Sequence, residues 1–175
     1  MQLYLGRPSS NSGRLDKEIR VYDYLDNLGI EYYRVDHKSA NTMEECQMVE
    51  RVLDNVICKN LFLCNRQKTK FYLYVTPADK HFVTKDFSPK VNSSRLSFGT
   101  PEDLEKLLNL TPGSVSIMGL IFDKNNVVQL VIDRELLTHT DFSCHPCINT
   151  SSIKMKLSDL LEKYIPSTNH IPMFV

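Results

Sequence analysis

The chain has 175 residues, with 21 basic and 21 acidic side chains and a formal charge of zero. That length suffices for a single domain with its own core, and the balanced charge excludes a protein that wraps long duplexes, which needs a basic excess. No apolar run approaches the roughly 20 residues that span a bilayer, so no membrane partner is expected.

Met1 to Arg14 is polar and lacks the apolar centre of a secretion signal. The five cysteines are an odd number and sit mostly in apolar stretches, which fits reduced thiols better than a disulfide framework. A cytoplasmic protein is the expectation.

In chain order, Leu15, Ile19, Tyr22, Leu25 and Leu28 recur at spacings of three and four, which predicts an amphipathic helix ended by Gly29. Ile30 to Val35 reads as a strand. Thr42-Met43-Glu44-Glu45 has the capping-box pattern and predicts a second helix through about Val52. Val56 to Cys64 and Lys70 to Val75 are apolar, β-rich runs across a polar connector, hence a hairpin. Thr100-Pro101-Glu102 reads as an N-cap followed by proline in the first turn, so Glu102 to Leu108 is a helix. Val115 to Phe122 and Val127 to Asp133 predict a second hairpin across Asp123-Lys124-Asn125-Asn126. Ser151 to Met155 reads as a short strand, followed by a helix from Ser158 to Tyr164 stopped by Pro166. No repeat or linker divides the chain. Hairpins mixed with helices indicate an α+β domain, residues 1–175, around a mixed, largely antiparallel sheet flanked by helices.

Lys59 is the first candidate for chemistry. On a strand it shares a face with Ile57, Leu61 and Leu63, without an adjacent carboxylate to offset desolvation. It is either a cleft lysine or one whose stem packs while its amine stays wet. His145 is held extended by Pro146 and serves either a pocket or a structural hydrogen bond. Asn149 suits a turn onto backbone amides.

Thr111-Pro112-Gly113-Ser114-Val115-Ser116 can turn backbone N–H groups outward toward an anion, or form an ordinary tight turn. Cys144 and Cys147 make a CxxC, but thiol–disulfide enzymes place that pair at a helix N-terminus, and a β-like stretch follows here. One such pair also makes a poor zinc site, even with His139 and His145 nearby. Basic side chains at Arg66, Lys68 and Lys70, then Lys80, Lys85, Lys90 and Arg95, either solvate loops or meet phosphates beside a cleft.

Several segments together resemble a known family. They are His37 through Glu45 (HKSANTMEE, where the family reads HPPxFTVEE), Lys59-Asn60-Leu61-Phe62-Leu63, Leu96-Ser97-Phe98-Gly99, Thr111-Pro112-Gly113-Ser114-Val115, and Phe142 through Thr150. In this order they resemble the freestanding aminoacyl-tRNA editing proteins related to YbaK and to the insertion domain of bacterial prolyl-tRNA synthetase, nearest the PrdX/ProX branch, which deacylates alanyl-tRNA(Pro). The resemblance covers nearly the whole chain. It implies an editing hydrolase acting by water attack on the aminoacyl ester, without metal or cofactor.

On that resemblance Lys59 and Asn60 are the catalytic positions, anchoring and orienting the substrate end. His145, Gly113, Gly119, Asn149 and Thr42 bind substrate, with amides from Gly113 to Gly119 facing the oxyanion. The implied partner is the acceptor end of tRNA(Pro) carrying a small amino acid, with prolyl-tRNA synthetase as a further one. The alternative is a module of the same fold that binds aminoacyl-tRNA or a translation factor without hydrolysis. The chain departs from the family where a Gly-x-x-x-Pro loop becomes Gly113-Ser114-Val115-Ser116-Ile117, and where Cys144 and Cys147 replace apolar residues.

Overall fold

The computed structural model describes residues 1–39 and 43–175, with Met43 by its backbone alone. In chain order the strands are β1 (Leu3–Leu5), β2 (Tyr32–Asp36), β3 (Lys59–Cys64), β4 (Phe71–Thr76), β5 (Ser97–Phe98), β6 (Val128–Ile132), β7 (Asp141–Cys144), β8 (Ser151–Lys156) and β9 (Met173–Phe174). They form two sheets among the described residues. One has the order β1-β2-β8-β7 and is antiparallel throughout; the other has the order β5-β3-β4-β6-β9. In the second sheet β5, β3 and β4 are antiparallel, whereas β6 joins β4 in parallel and β9 joins β6 in parallel. The α+β class with mixed pairing holds, but the expected sheet is divided in two.

The helices are α1 (Asp16–Asn27), α2 (Met43–Leu53), α3 (Thr84–Phe87), α4 (Pro101–Leu108), α5 (Leu157–Asp159) and α6 (Ile165–Ser167). One core lies between the sheets. Tyr22 and Leu25 from α1 meet Tyr32, Phe142 and Ile153 of the first sheet and Leu73, Val75 and Leu130 of the second. Val49 and Leu53 of α2 cover Val35 on the opposite face of the first sheet. Leu63, Tyr72 and Tyr74 pack with Phe87, Val91 and Leu96 on the opposite face of the second. The alternation expected along β3 is therefore present: Leu61 and Leu63 go to one cluster, Phe62 and Cys64 to the other.

Local chemistry fixes the elements that carry the site. Gly29, at φ +63°, follows α1 in the left-handed region that glycine enters freely. In the β3–β4 turn, Asn65 Oδ1 accepts from the amides of Thr69 (2.9 Å) and Lys70 (3.0 Å). Thr100 caps α4 by accepting from the Asp103 amide at 3.2 Å, a bond whose loss typically costs about 1 kcal/mol.

Two expectations fail. Val115 to Phe122 is not a strand: Ile117–Phe122 is a 3-10 turn opened by Ser116, whose Oγ accepts from the Met118 amide at 3.1 Å. An apolar run of this length reads alike as buried strand or buried helix. Gly119 settles the packing, because a Cβ there would lie 2.7 Å from Leu110 Cδ1 and 3.1 Å from the Leu108 carbonyl oxygen. The predicted partner, Val127 to Asp133, pairs instead with β4.

The last helix also outruns its predicted end. A π-helical segment, Leu160–Tyr164, connects α5 to α6, which contains Pro166. Such a wider turn accommodates a residue that has no N–H to give and crowds the carbonyl behind it. The capping residue expected for α2, Thr42, lies outside the described residues.

Candidate active site

The two sheets touch at a seam just before β3. Ile57 forms a parallel bridge with Ser143 of β7. The Cys58 amide donates to the Ser143 carbonyl oxygen at 3.1 Å, and Asn55 Nδ2 donates to Ser143 Oγ at 2.8 Å. Lys59 and His145 each lie two residues beyond that bridge on their own segments. Segments more than eighty residues apart in sequence thus meet at Ile57, Cys58 and Ser143.

Lys59 opens β3 and is half-buried. Its Nζ donates to the Lys80 carbonyl oxygen at 2.9 Å, and among the described residues it makes no ion pair. Both sequence readings meet here, since the lysine stands at a strand end yet its amine is directed by the fold. Lys80 itself is pinned by its side chain to Asp133 (2.7 Å) and Glu135 (3.1 Å). Asp133 is buried and also accepts from Tyr74, Thr76 and the Glu135 amide. Although burial opposes ionisation of Asp133, Lys80 and Tyr74 hold its carboxyl below the usual range. The carbonyl that receives Lys59 is thereby anchored from beneath.

Asn60 has both ends of its side chain engaged. Its Nδ2 donates to the Cys58 carbonyl oxygen at 3.0 Å, and its Oδ1 accepts from the Ile117 amide at 2.9 Å. Ser116, next to that amide, donates to the His145 carbonyl oxygen at 2.6 Å. Asn60 therefore ties β3 to the segment that supports the histidine loop, and this bond uses an N–H that a proline at position 117 would lack.

The imidazole of His145 is directed by β8. Its Nδ1 lies 2.9 Å from the Ser151 carbonyl oxygen, which only accepts, so the proton sits on Nδ1. Ser152 Oγ is 3.2 Å from the same nitrogen and 2.9 Å from Nε2 of His37. Nδ1 of His37 faces the Lys38 carbonyl oxygen at 2.7 Å, and the two rings are 6.1 Å apart. Burial pulls the His145 pKa below its usual range; the Ser151 carbonyl works against that, and His37 adds to it.

Asn149 donates to Ser39 Oγ at 2.8 Å, joining the histidine loop to the segment that follows β2. Gly113 turns at φ +85°, and a Cβ there would stand 3.8 Å from Asn149 Nδ2. Thr111, Ser114, Asn149 and Thr150 share a cavity of about 180 Å³ with Lys17 at the start of α1. The Gly113 turn and Asn149 are thus brought together.

Gly119 is not. It is buried, and its amide donates to the Ser116 carbonyl oxygen at 3.0 Å, so it offers no donor to a substrate. The amides of Ser114, Ile117 and Met118 are likewise committed within the protein. Gly113, Val115 and Ser116 carry the amides of this segment that are not bonded among the described residues. Thr42 lies outside the described residues.

The thiol reading has no support in the geometry. Cys144 ends a strand, no helix begins there, and Cys144 and Cys147 are fully buried. Burial pushes both thiols well above their usual range, and Cys58 up to about 11. No cluster of metal-ligating side chains occurs among the described residues. Sequence reasoning gave no role to His37, Ser116 or Ser152. The available signals were the histidine opening the first matched motif and the serines that begin β8.

On an α+β frame, bonds thus run from β3 through Asn60 and the Ser116–Ile117 turn to the His145 loop. Residues 37–163 match the aminoacyl-tRNA editing domain family, and the chain belongs to that family. It is 31% identical over 156 residues to the prolyl-tRNA editing protein ProX of Acetoanaerobium sticklandii, covering 89% of this chain and 94% of that one. It is 29% identical over 163 residues to prolyl-tRNA synthetase associated domain-containing protein 1 of Danio rerio, covering 92% and 88%. A crystal structure described as a candidate trans-editing enzyme for prolyl-tRNA synthetase superposes with a TM-score of 0.66 at 14% identity, covering 91% of this chain and 96% of that one, and shows the same fold. No helix among the described residues is long and apolar enough to cross a membrane.

Proposed function

We propose that the chain, acting as one editing unit in the cytoplasm, is a trans-editing hydrolase that removes alanine from mischarged tRNA(Pro). The observation that carries this reading is the Lys59 amine, fixed by a carbonyl rather than neutralised by a carboxylate, on a strand that Asn60 links through the Ser116–Ile117 turn to the His145 loop. Family membership and the prolyl-tRNA names of the relatives support the choice of tRNA.

A synthetase pocket built for proline rejects the smaller alanine by only about 1–3 kcal/mol, so a second site that admits alanine and excludes proline by size must remove the error. The acceptor end of the tRNA is the partner, and prolyl-tRNA synthetase delivers it. Lys59 keeps two ammonium hydrogens beyond its bond to Lys80, and these meet the negative charge of the substrate end. Asn60 holds the seam. His145 shapes the pocket, Asn149 supports its loop, and the amides of Gly113, Val115 and Ser116 face the oxyanion formed when water attacks the ester.

A binding module without hydrolysis competes because Ser114, Ile117 and Gly119 have committed their amides elsewhere. The two readings separate on a panel of alanyl-, cysteinyl- and prolyl-tRNA(Pro), followed by loss of the ester. Alanyl ester should disappear fastest. Lys59→Ala should lower kcat/KM about 100-fold or more, the scale of one lost transition-state donor, while Cys144→Ser/Cys147→Ser keeps most activity. Full turnover by Lys59→Ala would reject the assignment, and binding of every ester without cleavage would establish the module.

A further inference from the structure

Side chains alternate along β3, so Lys59 shares a face with Leu61 and Leu63, the face opposite the main core. Leu63 is paired with Phe98 of β5. The segment from Phe82 to Leu96 closes over that face: Phe82, Phe87, Val91 and Leu96 pack with Leu63, Tyr72 and Tyr74. Phe98 stays outside this cluster, 58% exposed, with its ring T-shaped against that of Phe82 at 6.0 Å.

A single exposed phenylalanine says little by itself, so its surroundings decide. Contacts tie it to Lys59. The Lys59 amine is held by the Lys80 carbonyl oxygen, and Phe82, two residues on, meets Phe98. Along β3, Lys59 and the partner of Phe98 are four residues apart, about 13 Å at the rise of a strand. The covering segment is also basic. From Lys80 to Phe98 the chain has four cationic side chains and one carboxylate, Asp86, in a protein of zero net charge. Lys80 is occupied by Asp133 and Glu135. Lys85, Lys90 and Arg95 are exposed and make no ion pair among the described residues.

A ring among unpaired cations suits single-stranded nucleic acid, whose bases stack while its phosphates meet the charges. An apolar protein partner would cover the ring but leave the cations without counter-charge. A second copy docked by two-fold symmetry would set cations against cations. We propose that this surface carries the unpaired 3′ end of the substrate RNA, with one base stacked on Phe98 and neighbouring phosphates held by Lys85, Lys90 and Arg95, so that the esterified terminus arrives at Lys59. That the strand is the acceptor end of a charged tRNA rests on the deacylase reading; the preference for an unpaired strand does not.

The test measures binding of the intact protein to an uncharged RNA hairpin with an unpaired 3′ overhang, against the same hairpin made blunt. 2-Aminopurine, whose fluorescence reports stacking, replaces each overhang base in turn. One position should change its fluorescence on binding to wild type and to Phe98→Tyr, but not to Phe98→Ala or Phe98→Leu; leucine keeps an apolar contact with Phe82 but offers no ring. Affinity for the overhang should fall about tenfold in the alanine and leucine variants, the scale of one stacked base, with the salt dependence unchanged. Lys85→Ala, Lys90→Ala and Arg95→Ala should each flatten the slope of log K against log salt by about 0.7, the value for one phosphate contact to a single strand, and leave the fluorescence change in place. Equal affinity for the blunt and overhanging hairpins, or a fluorescence change that survives in Phe98→Leu, would overturn the proposal. So would a wild-type dimer that Phe98→Ala dissolves, since a second copy would then occupy the surface. A protein that cleaves no ester yet binds RNA in this way keeps the surface and loses the deacylase. One that cleaves alanyl-tRNA(Pro) but shows none of these changes keeps the deacylase and loses the surface.

Discussion

Asn60 shows how one side chain can hold a site without reacting. Its Oδ1 takes the Ile117 amide, a bond that a proline at position 117 would remove. Ile117 is the first residue of its 3-10 turn, a position that tolerates proline, but its side chain is fully buried in the core, so Ile117→Pro loses packing together with this bond. The share of the cost owed to the bond is about 1 kcal/mol, at the low end for a half-buried acceptor left without its donor. Denaturation of Ile117→Pro, Asn60→Ala and the double variant checks it: the two losses should overlap, and strict additivity would show that the bond contributes nothing.

At the scale of elements, what the sequence displayed was whatever depended on near neighbours. The periodic α1, the threonine cap of α4 and the β3–β4 hairpin all follow from residues within a few positions of one another. Asn65 belongs with them. It is buried and accepts two backbone amides in the turn, so Asn65→Ala strands those donors and should cost about 1–3 kcal/mol. A urea midpoint equal to wild type would contradict this, whereas Asn65→Asp, which keeps the acceptor, should recover most of the stability.

The failures lie where partners are distant. Val128–Ile132 has the composition of a strand, but nothing in it says that β4 awaits it in parallel. Ile117–Phe122 is apolar throughout, so its period cannot separate strand from 3-10 turn. The same division applies to the candidate site. Lys59, Asn60 and His145 stood out by motif, whereas Ser152, an ordinary strand residue, and the buried amide of Gly119 took their meaning only from packing.

For the molecule as a whole, acid is the informative stress. Burial tends to raise the Asp36 pKa, but bonds from Arg14 and Arg34 outweigh it and bring the carboxyl from 3.8 down to about 2. A folded-state pKa below the unfolded one adds stability that is complete above the unfolded value and disappears as pH falls through the folded one. Asp36 should therefore help hold the first sheet to α1 down to about pH 4 and cease to do so near pH 2. Thermal unfolding measured across that interval should show a smaller loss of Tm in Asp36→Asn than in wild type, and parallel curves for the two proteins would dismiss the contribution. The carboxylate is partly exposed, so salt should reduce the difference.

The seam at Ser143 has a mechanical meaning. One leaf of the structure carries the amine and the other carries the imidazole, and four bonds hold the leaves together: directly from Cys58 and Asn55 to Ser143, and through the turn at Ser116 and Ile117, from Ile117 to Asn60 and from Ser116 to the His145 carbonyl. On the proposed function, how firmly the leaves are held bears on how alanine is told from proline. Three of those four bonds use a side chain, from Asn55, Asn60 or Ser116, so exchanging any of these loosens the join, whereas the bond from Cys58 to Ser143 survives every side-chain exchange.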